Sequence, residues 1–184
     1  PNRGSWLDFE FDVKDLLYFK IDRKKKILTS TLLLALGYTK SEMANEFYEN
    51  EDYIFDNNSN KWKTKFNPDN YKTKNFSEEV IDAKTGKVVI NSGDKINFIN
   101  AKKLANDGLK DILVTQDFLL GKFLHEDIKI SDEEDGLLKI GTELNDTIIQ
   151  KILDAKINKI KISNTNSINK GPYLLNTILN DKNN

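Results

Sequence analysis

The sequence predicts an α+β fold: antiparallel strands and hairpins with short helices, including two related β-turn-helix-β units. Three observations point to it. Short runs rich in Val, Ile, Phe, Tyr and Trp alternate with clusters of Asn, Asp, Ser and Gly, the pattern of strands joined by tight turns. The helical stripes between them are brief and carry recognisable start and stop signals. The third observation is an internal repeat, in which residues 93–114 lie over residues 141–162 without a gap. Gly93 pairs with Gly141, Ile96 with Leu144, Leu104 with Ile152, Leu109 with Ile157, Ile112 with Ile160 and Val114 with Ile162. Each copy reads as a strand end, a glycine turn, a short amphipathic helix and an alternating strand. Two copies are too few for a solenoid. They most simply pack as a pseudo-symmetric pair around a shared core.

Taken in order, Trp6 to Phe11 places apolar residues among acidic ones, and Leu16 to Ile21 is a second β-rich run. Asp12-Val-Lys-Asp15 between them reads as a hairpin connection. Ile27 to Leu36 has an apolar stripe, basic residues before it and Gly37 after it, which predicts a short buried helix with a glycine stop. Thr39-Lys-Ser-Glu42 has the spacing of a capping box, and Met43, Phe47 and Tyr48 continue as a helical stripe. The corner from Leu36 to Thr39 thus joins two helices. A DNA-reading helix-turn-helix is disfavoured there, because Glu42, Glu46 and Glu49 on the second helix repel phosphate. Tyr53 to Phe55 and Lys61 to Phe66 flank the turn formers Asp56 to Asn60 and predict a hairpin. Lys84-Thr-Gly86 and Asp132-Glu-Glu-Asp-Gly136 mark two further hairpin turns. Within the repeat, Gly108 stops the first helix; Lys156 stands in its place in the second, so that helix is expected to end by other means.

Composition narrows the functional classes. Lys plus Arg number 28 against 29 Asp plus Glu, a net charge of −1, so no overall field draws the chain to nucleic acid. There is no cysteine, which excludes a disulfide framework and cysteine-based metal sites. No apolar run approaches the roughly 20 residues that span a bilayer, and no signal-peptide pattern opens the chain, so a cytoplasmic location without a membrane partner is expected. The start at Pro1 rather than Met reads as a cut from a longer polypeptide.

The search for chemistry nominates no catalytic residue. Walker A, G-x-G-x-x-G and G-x-S-x-G patterns are absent. The single histidine, His125, sits beside Glu126 and Asp127 without further ligands or a nucleophile in a known spacing. The acidic turn Asp132–Gly136 lacks the alternating ligands of a calcium loop. No metal or cofactor site is predicted in this chain. Two stretches are candidates for nucleic acid. Lys61, Trp62, Lys63 and Lys65 interleave aromatic and basic groups, the composition of a single-strand stacking site, although an exposed edge strand also uses lysine to resist pairing. The basic run from Lys20 to Lys26 offers Arg23, Lys24 and Lys25 as phosphate-neutralising residues. Otherwise these side chains solvate a strand end and a first helical turn, where the helix dipole disfavours them.

Three strings carry a resemblance: Arg3-Gly-Ser-Trp-Leu-Asp-Phe-Glu-Phe-Asp12, Tyr18-Phe-Lys-Ile-Asp-Arg-Lys-Lys-Lys26 and Leu32-Leu-Leu-Ala-Leu-Gly-Tyr38. In this order and spacing they resemble the lobe of the β subunit of bacterial DNA-directed RNA polymerase. The family usually has Arg where Leu34 precedes Ala35, so one basic position is missing. A further string, Gly171-Pro-Tyr-Leu-Leu-Asn-Thr-Ile-Leu179, resembles the segment that ends a lineage-specific insertion in proteobacterial lobes.

The resemblance implies three parts. Residues 1–50 form a lobe-derived strand-strand-helix-helix unit, residues 51–170 an insertion domain containing the repeat, and residues 171–184 a return to the lobe. It also implies a place in a nucleotidyltransferase that synthesises RNA on a DNA template, with no activity in this chain alone. The catalytic magnesium of that enzyme is bound by another subunit. Implied partners are the remaining β domains, the other polymerase subunits, downstream DNA held by the lobe as one jaw, and regulators entering through the secondary channel. The alternative is an autonomous protein-binding adaptor built on the repeat. Uncovered apolar residues on the first strands would argue against it, since they call for a neighbouring segment.

Overall fold

The computed structural model describes residues 7–21, 25–71, 73–165 and 172–181. The first elements are β1 (Leu7–Phe11), β2 (Leu17–Ile21), β3 (Lys25–Leu28), α1 (Thr29–Ala35) and α2 (Lys40–Phe47). There follow β4 (Asn50–Asp56), β5 (Lys61–Lys65), β6 (Thr73–Asn75), β7 (Val80–Asp82), β8 (Val88–Ile90), β9 (Lys95–Asn97), α3 (Phe98–Asn106) and β10 (Asp111–Val114). The last are β11 (Phe123–Leu124), β12 (Ile128–Lys129), β13 (Leu137–Leu138), α4 (Asp146–Asp154), β14 (Lys159–Ser163) and α5 (Tyr173–Asn180). The fold is α+β, as its sequence pattern predicts. It divides into two compact units, one of Pro1–Asn50, Phe123–Thr142 and Ser163–Asn184, the other of Glu51–Lys122 and Glu143–Ile162.

The first unit opens with an antiparallel sheet in the order β1-β2-β3. The hairpin between β1 and β2 is held by the Asp12 carboxylate, which accepts from the N–H groups of Lys14 and Leu16. Asp15 takes the left-handed conformation that closes the turn (φ +57°). The stretch read as one helix from Ile27 to Leu36 divides instead. Lys25–Leu28 pairs antiparallel with β2, and the helix begins only at Thr29. A run of Lys, Ile and Leu with one apolar side fits a strand as well as a first helical turn, and the neighbouring β2 edge decides between them. Lys25 and Lys26 therefore belong to the backbone of a strand and not to a first helical turn.

Gly37 ends α1 in the left-handed conformation (φ +92°), with its own N–H on Leu34 O and the Tyr38 N–H on Leu33 O. The predicted capping box follows: Thr39 Oγ1 accepts from Glu42 N–H, and the Glu42 carboxylate accepts from Thr39 N–H. Met43, Ala44 and Tyr48 then pack with Ile140, Leu174, Leu175 and Ile178 in one buried cluster, so the core draws on all three stretches of this unit. Asp181, just beyond α5, accepts from the hydroxyls of Ser30 (2.6 Å) and Thr31 (2.9 Å) and ties the far end of the chain to the start of α1.

The second unit is built on a sheet in which the strands run β14-β4-β5-β10-β7-β8. The β4–β5 hairpin lies at its middle. Its turn is held by Asp56, whose carboxylate accepts from Ser59 Oγ and Asn58 N–H; these bonds favour its charged form and hold its pKa below the usual carboxylate range. The two repeat copies flank the hairpin, with β10 against β5 and β14 against β4. Their backbones match closely. Asn97 and Asn145 each cap their helix by accepting from the N–H three residues on. The first helix ends with Gly108 N–H on Ala105 O and Leu109 N–H on Leu104 O. The second ends with Lys156 N–H on Leu153 O and Ile157 N–H on Ile152 O. Lys156 takes the same left-handed turn as its glycine counterpart (φ +61°), so the expectation of a different ending is overturned. The favourable burial of the following strand offsets the strain of a non-glycine residue there.

Candidate functional site

Three stretches flagged by residue type meet different fates. Arg23 and Lys24 lie outside the described residues, and of Lys25 only the backbone is described, paired with Ile21 at the start of β3. Within the same basic run, Lys20 is engaged by Glu10 across the β1–β2 pair at 2.8 Å. At a partly exposed position this bond contributes little stability, but it takes up a charge otherwise available to phosphate.

The Lys61–Lys65 strand is not a nucleic-acid platform. Alternation along β5 turns Trp62 and Thr64 inward and leaves Lys63 and Lys65 exposed. Trp62 is fully buried, its ring 5.2 Å from that of Phe55 and tilted to it. No base can stack on a ring with no accessible surface. Nor is β5 an edge, since β4 and β10 occupy both sides. The lysines cover the outer side of a central strand.

His125 is buried as a bridge. Its Nε2 lies 2.7 Å from Asn45 Oδ1, and its Nδ1 lies 2.7 Å from Ser163 Oγ. Asn45 Oδ1 can only accept, so Nε2 carries a proton, and a neutral ring then accepts the serine hydroxyl at Nδ1. One buried imidazole pairs with the buried Ser163 and with the exposed Asn45, from distant parts of the chain, which is a structural task. Among the described residues, no group of three His, Cys, Asp or Glu side chains is placed to hold a metal ion.

The sheet β1-β2-β3 shows a feature that residue type alone does not. Leu7, Phe9 and Phe11 stand on one side of β1, and they are 48%, 57% and 57% exposed. Their cross-strand partners on β2 are Ile21, Phe19 and Leu17, and Phe19 is buried. Helices α1 and α5 pack against β2. The apolar layer is therefore covered over β2 and open over β1, save where the Phe11 ring meets Tyr173 at 4.7 Å. Among the described strands, β1 is the outermost of its sheet, with β2 beside it. An uncovered apolar side on the outermost strand of a sheet is a surface suited to being covered. The sequence gives no sign of it, because alternation of Leu, Phe and Phe with acids reads like any half-buried strand.

No protein-family model matches the chain. Its whole length is similar to proteins named DNA-directed RNA polymerase subunit beta. The relative from Orientia tsutsugamushi is 45% identical over 184 residues, and those from Rickettsia conorii and Rickettsia prowazekii are each 39% identical over 183 residues. Each match takes in 100% of this chain and 13% of the relative, and it runs through the middle of the chain as well as its ends. Among the described residues, no helix is long and apolar enough to cross a membrane.

Proposed function

The chain belongs to the bacterial RNA polymerase β-subunit family, and from that membership we propose that it serves as a non-catalytic part of the DNA-directed enzyme in the cytoplasm. Residues 1–50 and 171–184 act as the end of the lobe, one jaw around downstream DNA, with Arg23, Lys24 and Lys25 near its phosphates. Residues 51–170 act as an insertion that presents a docking surface to transcription regulators. Nucleotidyl transfer, with its magnesium, belongs to the assembled enzyme and to another subunit's residues.

The observation that carries this reading is the full-length similarity to a short segment of a much longer subunit. The open side of β1 supports it. A free-standing adaptor has no reason to leave Leu7, Phe9 and Phe11 in water, whereas a segment of a large subunit meets further chain there.

A photo-activated crosslinker placed at position 23, 24 or 25 of the complete β subunit, in polymerase assembled on a DNA template, tests the jaw assignment. Crosslinks to DNA downstream of the active centre are expected. Crosslinks confined to protein would overturn it.

A further inference from the structure

The second unit contains a cavity of about 210 Å³ between the segment Asn75–Val80 and the turn Val114–Lys122. Its lining is of two kinds. Phe76, Val80 and Val114 are buried apolar residues, joined by the partly exposed rings and chains of Phe118 and Leu120. Phe76 and Phe118 lie nearly parallel, with ring centroids 6.2 Å apart. The exposed Glu78, Glu79 and Asp117 supply three carboxylates. Against them stands one amine, Lys122, whose Nζ lies 4.7 Å from the centre of the Phe118 ring. Burial pushes the acidity of that ammonium up, and the charge of Glu51 opposes the change. Thr115, also in the lining, keeps its hydroxyl buried without a hydrogen-bond partner.

The carboxylates exclude a phosphate ligand. They do not form a cluster able to hold a metal ion. What fits is a ligand with an apolar stem and a positive head. We propose that this cavity receives the lysine or arginine side chain of a protein partner. The methylene stem lies on the Phe76–Val80–Val114 floor and the cation sits among the carboxylates of Glu78, Glu79 and Asp117. The proposal rests on the reading of the middle of the chain as a docking surface and names the chemistry that surface selects.

The full 184-residue chain, labelled with ¹⁵N, is titrated with N-acetyl-arginine amide and N-acetyl-lysine amide. The uncharged citrulline analogue serves as control. A saturable shift of amides within residues 75–80 and 114–122 by a cationic probe, absent with citrulline, is expected. Neutralising the rim (E78Q, E79Q and D117N together) weakens it by about tenfold or more, a loss of about 1.4 kcal/mol. Leu120→Trp, which fills the cavity and keeps the rim charges, abolishes it. Equal shifts from citrulline, shifts as large at the acidic turn Asp132–Asp135, or binding untouched by either variant would overturn the proposal. Binding of the free cationic probes reads the cavity without any partner, so failure of the docking reading, seen as no partner bound by the complete β subunit through residues 51–170, is distinct from failure of this proposal.

Discussion

Trp62 and Phe9 are both large aromatic residues on short antiparallel strands, and the chain treats them in opposite ways. Trp62 sits on a strand with neighbours on both sides and has no accessible surface. Phe9 sits on a strand with one neighbour among the described strands and is more than half exposed. The second unit closes its sheet around its largest side chain. The first closes its core over β2 and stops before β1. Apolar residues are spent in both places; only the covering differs. One unit covers its largest aromatic side chain completely, and the other leaves the apolar side of its outer strand open.

The sharpest way to break the contrast is Trp62→Ala. Deleting a fully buried indole is expected to cost about 3–5 kcal/mol, read as a drop in the urea midpoint of the chain. His125→Leu comes next, because it leaves the Ser163 hydroxyl buried and unpaired; a loss of about 1–3 kcal/mol is expected. The two repeat copies allow a finer test, since both end their helices with a left-handed residue. Gly108→Ala is expected to destabilise and Lys156→Gly to stabilise, each by about 1 kcal/mol, seen as opposite shifts in thermal midpoint. Phe9→Ser should have the smallest effect on the chain by itself, within about 0.5 kcal/mol. The same substitution in the complete β subunit is expected to impair assembly, visible as loss of the subunit from purified polymerase. If Phe9→Ser destabilised the isolated chain as much as Trp62→Ala, the open side of β1 would be no different from an ordinary core.

What was legible in the sequence was what is local. The capping box at Thr39 and Glu42, the hairpin turns and the spacing of the repeat all lie within a few residues of the groups they organise. The left-handed Lys156 was not legible, because its residue type argues against the conformation that packing imposes. The split of Ile27–Leu36 into strand and helix turns on whether β2 offers a free edge. The central place of β5 depends on β10, which returns to it after some fifty residues. The role of His125 depends on Asn45, 80 positions earlier, and Ser163, 38 positions later. No pattern within a window of sequence encodes such meetings. The uncovered side of β1 was illegible for another reason: exposure is a property of what is missing from above a surface.

The clasp between Asp181 and the hydroxyls of Ser30 and Thr31 has a consequence in time. The two ends are 151 positions apart. At ~5–20 residues per second, a ribosome makes the serine about 8–30 seconds before the aspartate that secures it. Throughout that interval the opening strands and helices exist without α5. Meanwhile the stretches of the second unit, complete by Ile162, are already available to fold. The order of synthesis therefore gives the second unit a head start over the first, whose opening elements wait for α5.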